Sequence, residues 1–77
     1  MTQNEMLDIM SRHKLSRADN AAISGKSQRQ VFSWEKGIFS VPRTVALMLY
    51  ALDEGKVDAR WIIAKIHKEN LENLGVA

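Results

Sequence analysis

The side chains that could do chemistry are few in kind. The chain has 77 residues, no cysteine, and two histidines, His13 and His67, that lie far apart with no paired acidic motif beside them. Neither a disulfide framework nor a zinc site has the ligands it needs, and no metal or other cofactor is expected. There is no glycine-rich phosphate loop, nucleophile elbow or catalytic carboxylate pair, so nothing supports an enzyme or a small-molecule substrate. What remains is cationic and hydrogen-bonding chemistry, and its distribution is uneven. Between Arg12 and Arg43 seven basic residues face two acidic ones, a local +5, whereas the rest of the chain carries −3. A polyanion is therefore drawn to the middle of the sequence and not to its ends.

The elements that must position this charge are helical, because apolar residues recur at three- and four-residue spacing and never alternate over a long run. Five helices and no strand are expected in one domain spanning 1–77. Thr2 with Glu5, Ser16 with Asp19, and Ser27 with Gln30 each have capping-box spacing or a close variant, which marks three helix starts. The first helix, Gln3 to His13, buries Met6, Leu7 and Met10, with Ile9 at its margin. The second, Arg17 to Ser24, turns Ala18, Ala21, Ala22 and Ile23 inward, and Gly25 allows the sharp turn that follows. The third runs from Gln28 to Lys36 with Val31 and Trp34 on one side, and Gly37 closes it. Pro42 opens the fourth at its first helical position; Val45, Leu47, Met48, Leu49 and Leu52 make that helix apolar almost all round. Asp58 caps a fifth, 58–74, which carries Trp61, Ile62, Ile63, Ile66, Leu71 and Leu74.

The stretch SQRQVFSWEKG from Ser27 to Gly37, preceded by Ala21 and Gly25 and followed by Pro42, resembles the Cro/C1-type (XRE) helix-turn-helix family over about residues 3 to 53. The resemblance implies an all-α, five-helix, lambda-repressor-like DNA-binding domain with its helix-turn-helix at about 17–36. In that arrangement Val31 and Trp34 anchor the recognition helix, leaving Ser27, Gln28, Arg29, Phe32 and Ser33 to face base edges in the major groove. Gln pairs bidentately with adenine and Arg with guanine, so Gln28 and Arg29 are the leading base readers. Lys14, Ser16, Arg17, Lys26, Lys36 and Arg43 are the expected contacts to the DNA backbone. Phe32 is unusual as an outward aromatic, and Glu35 is expected to fix local structure. The sequence departs from the family at Asn20, Ser24 and Lys26, where relatives carry apolar residues. Ile23 lies one residue before the expected apolar site, a departure that allows a one-residue shift of the second helix.

The functional expectation is a transcription regulator, a repressor bound to a palindromic double-stranded operator as a homodimer. Trp61, Ile62, Ile66 and Leu74 of the fifth helix are the candidate dimer surface. The run PxTVxxxLxxL from Pro42 to Leu52 is loosely similar to short phage and mobile-element autorepressors found beside anti-CRISPR genes. The alternative is an antitoxin or other interaction module with an autoregulatory helix-turn-helix. The N-terminal MTQNEMLDIM has acidic residues and no long apolar run, so neither a signal peptide nor a membrane span is expected, and the expected compartment is the bacterial cytoplasm, at the nucleoid.

Overall fold

Helix boundaries in this chain follow from local side-chain chemistry. The computed structural model describes residues 1–73, in which five helices follow one another: α1 (Gln3–Arg12), α2 (Arg17–Ser24), α3 (Gln28–Glu35), α4 (Arg43–Asp53) and α5 (Ala59–Asn73). There is no strand among the described residues, and the fold is all-α as expected. Each of the first three helices begins with a reciprocal capping box. The Oγ of Ser16 accepts from the Asp19 amide at 3.0 Å while the Ser16 amide donates to Asp19 Oδ2 at 2.9 Å. Thr2 with Glu5 and Ser27 with Gln30 repeat the arrangement, so two otherwise orphaned donors are satisfied at every start. At α5 the Asp58 carboxylate accepts from the Trp61 amide at 2.7 Å, the cap expected there.

The first four helices end alike. In α2 the Lys26 amide reaches the Ala21 carbonyl and the Gly25 amide the Ala22 carbonyl, the paired bonds of a Schellman stop with Gly25 at φ 69°. Gly37 and Gly55 occupy the same position after α3 and α4. After α1 the position is held by Lys14, at φ 53°, with Leu15 donating back to Met10 and Lys14 to Ser11. The Schellman stop thus works without glycine, at the cost of a left-handed conformation in a residue that has a Cβ.

The core forms two clusters. Met6, Ile9, Met10, Ala21, Val31, Trp34, Val45 and Leu49 make the first, beneath α3. Ile23, Leu52 and Ile62 make the second, between α2, α4 and α5. α2 packs on α3 and α5, and α1 on α3 and α4. Several expectations are corrected. Ile9 is buried and Leu7 lies at the surface, while Ala18 and Ala22 point outward; the inner face of α2 is Asn20, Ala21 and Ile23. Asn20 is wholly buried, so the inner face of α2, which Ser16 caps, carries an amide among apolar side chains. Pro42 precedes α4 as its N-cap instead of occupying the first turn. Leu47 and Met48 are exposed, so α4 has an outer apolar face and is not buried all round.

Three polar ties close the bundle. Asp53 at the end of α4 accepts from Arg12 Nε and Nη2 at 3.1 and 2.9 Å, and His13 Nε2 lies 2.9 Å from its Oδ1. The Arg12 hydrogen bonds, followed by that of His13, hold the Asp53 carboxyl below the usual carboxylate range. The Tyr50 hydroxyl donates to Glu5 Oε2 at 2.9 Å, joining α4 to the first turn of α1. Finally, Gln3 Nε2 donates to the Glu35 carbonyl, so α1 supplies a partner for a carbonyl at the end of α3 that the helix itself leaves free.

Candidate nucleic-acid interface

α2 and α3 are joined by three residues, Gly25, Lys26 and Ser27, which makes a compact helix–turn–helix unit. Val31 is 0% and Trp34 4% exposed, and with Ala21 they fix the inner side of α3 against α1 and α2. The remaining side of α3 is thereby turned to solvent. Ser27, Gln28 and Arg29 are all exposed at its start. Gln28 and Arg29 extend from the first turn, whereas Ser27 is committed to the cap: its amide and its hydroxyl both donate to Gln30 Oε1, at 3.0 and 3.2 Å. Ser33 is half-buried and its hydroxyl donates to the Gln30 carbonyl at 2.6 Å, so that donor is spent within the helix.

Phe32 has a definite environment. The guanidinium carbon of Arg17 lies 4.7 Å, and the Lys36 ammonium 5.4 Å, from the Phe32 ring centroid. Arg17 also reaches across to Glu35, with Nη2 to Oε1 at 2.9 Å and Nε to both carboxylate oxygens at 3.2 Å. That bond, above all, raises the Arg17 pKa and keeps the side chain charged. The outward aromatic is therefore a platform for two cations, and it joins the start of α2 to the end of α3.

The other expected backbone contacts are distributed around this unit. Lys26 is exposed in the turn between the helices, Arg43 opens α4, and Lys14 sits at the left-handed corner after α1, all at the surface. Ser16 caps α2, and its amide and then its side chain engage the Asp19 carboxylate and hold it below its usual range. Arg17, Phe32, Glu35 and Lys36 are the residues that are brought into direct contact. Glu35, Gln3 and the exposed pair Ile38 and Phe39 belong to this neighbourhood without having been among the expected contacts. Both Ile38 and Phe39 donate their amides to the Ser33 carbonyl, which ties the loop after α3 to the helix end.

The expected dimer residues divide. Trp61 is 55% exposed and lies beside Lys65, whose ammonium is 5.6 Å from a Trp61 ring. Ile62 is 4% exposed and belongs to the second core cluster, and Ile66 packs against it, because α5 uses its 59–62–66 stripe to cover α2 and α4. Those two isoleucines are thus occupied within the chain. Leu74 lies outside the described residues. The apolar side chains left facing outward on α4 and α5 are Leu47, Met48, Trp61, Ile63 and Leu71. Among the described residues no group of acidic, histidine or cysteine side chains could hold a metal, and no helix is long and apolar enough to cross a membrane. Comparison of the chain with protein-family models, curated proteins and solved structures returned no match.

Proposed function

We propose that the chain is a sequence-specific DNA-binding transcription regulator of the Cro/C1-type, lambda-repressor-like class, acting as a homodimer on a palindromic operator. The observation that carries this is the division of α3: Val31 and Trp34 are buried while Gln28 and Arg29 project from its exposed first turn. A helix held by its base with polar fork-shaped side chains free at its start fits the major groove, and its neighbours supply cations for the phosphates on either side. Two copies would set two such helices about one DNA turn apart, with repression following from exclusion of polymerase. The outward apolar side chains of α4 and α5, Trp61 foremost, are the surface for the second copy.

Selection of bound sequences from random DNA, followed by titration at several salt concentrations, tests the proposal. A symmetric sequence should be enriched, and log affinity should fall linearly with log salt. Failure to enrich any sequence would remove the proposal. The dimer is tested by Trp61→Glu, which should yield a monomeric mass at micromolar concentration with weakened operator binding; an unchanged dimer would place the interface elsewhere.

A further inference from the structure

We propose that Arg17 and Lys36, both resting on the Phe32 ring, form one seat for a single DNA phosphodiester, in which Glu35 acts as a positioning residue for Arg17. This rests on the DNA-binding function proposed above and goes beyond it by making four side chains one site. The geometry of the guanidinium is the starting point. Glu35 engages Nε and Nη2 of Arg17, which are two neighbouring donors on one edge of the fork. Five N–H groups minus those two leaves the far edge free, the edge suited to a phosphate oxygen. Exposure sets the direction: the Glu35 side chain is 14% exposed and that of Arg17 is 43% exposed, so the carboxylate lies beneath and the guanidinium faces outward.

Charge decides whether such a seat accepts an anion. An Arg–Glu pair alone is neutral and offers a phosphate only N–H dipoles. Lys36, 5.4 Å from the same ring centroid, adds a second cation, so the group carries +1 against the −1 of one phosphodiester. Phe32 is the partner that the two cations share, and its π system attracts each of them. A long arginine side chain held by a carboxylate and an aromatic ring has also lost much of its rotamer freedom before DNA arrives, so less is lost on binding.

The test uses the selected operator synthesised with an uncharged methylphosphonate at one phosphate at a time. At one position per half-site, neutralisation should weaken wild-type binding roughly tenfold, the scale of a charge-assisted hydrogen bond. For Arg17→Ala the same substitution in the DNA should have a smaller effect, the remainder being the Lys36 contribution, and for Arg17→Ala with Lys36→Ala it should have none. Glu35→Gln should reproduce a part of that loss in the wild-type background and none in Arg17→Ala, with the thermal midpoint of each variant as the control for folding. If Glu35→Gln weakens binding equally with and without Arg17, or if it tightens binding because the carboxylate competes with DNA, the seat is wrong. If no phosphate distinguishes wild type from Arg17→Ala while specific binding persists, the seat fails and the regulator survives. Absence of specific binding by the wild type overturns both.

Discussion

Replacing Asn20 with leucine should stabilise the protein. Asn20 is 0% exposed; its Oδ1 has no hydrogen-bond partner, and its Nδ2 reaches only Met10 Sδ at 3.4 Å, a weak acceptor. Leaving a buried carbonyl unsatisfied costs about 1–3 kcal/mol. Leucine has the same number of side-chain heavy atoms in the same branched order, and its methyl groups add about 0.8 kcal/mol each of apolar burial. Opposing this, a slot shaped for a planar amide must admit a tetrahedral branch, and overpacking of this kind costs about 1–3 kcal/mol. The net is a gain of about 1 kcal/mol, which for a domain of this size moves the thermal midpoint up by roughly 4–8 °C. Urea titration with an unchanged slope, together with thermal melting, measures it. Asn20→Asp is the counterpart: a carboxylate there has no cation partner and should be severely destabilising. A loss of more than about 1 kcal/mol in Asn20→Leu would mean that the Asn20 amide makes a contribution that its hydrogen bonds do not account for.

Further outcomes are expected. Lys14→Gly should stabilise by about 1 kcal/mol, because glycine takes the left-handed position without the Cβ strain; urea titration reads it, and a loss would contradict the account of the Schellman stop. Gly37→Ala should destabilise by about 1–2 kcal/mol, since φ is 73° and a Cβ there would lie 2.7 Å from Gln3 Oε1; Gln3→Ala in the same background should relieve the contact but not the backbone strain. For Asp53, the folded pKa is lowered, so its contribution is present above the ordinary carboxylate pKa of about 4 and is lost as pH falls through the folded value. Asp53→Asn should therefore narrow the stability difference between pH 7 and strongly acidic solution, as measured by melting. Arg29→Ala should cost about 1–3 kcal/mol of discrimination at one operator position and leave other positions unchanged, read by repeating the DNA selection.

The helix starts were legible because each is encoded within four residues: Thr2 to Glu5, Ser16 to Asp19 and Ser27 to Gln30 act locally, whatever packs around them. Ends marked by Gly25 and Gly37 were legible for the same reason. The end of α1 was not, since lysine gives no sign that it will adopt a positive φ. The burial of Asn20 was also hidden, because a polar side chain in an apolar stripe reads equally as a shifted helix. α5 shows a different ambiguity. Its apolar residues cover more than one face, and periodicity could not say that Ile62 belongs to the chain's own core while Trp61 faces out. Around α3, the buried pair and the exposed first turn followed from spacing. The meeting of Arg17 with Glu35, 18 residues apart, depends on how α2 crosses α3 and has no local signature.

α2 contributes to both clusters, Ala21 to the one beneath α3 and Ile23 to the one that receives α5, and Leu15 just before it packs on each. α2 is thus a shared beam between α3 and α5. A force on α5 reaches α2 through Ile62 and Ile23 first, whereas α3 keeps its own anchors, Val31 and Trp34, in the other cluster. Arg17 is on the beam and Arg29 is not. If α2 and α3 meet DNA as proposed, a partner that tilts α5 would disturb the Arg17 contact to the backbone before the Arg29 contact to a base, and affinity would change ahead of specificity.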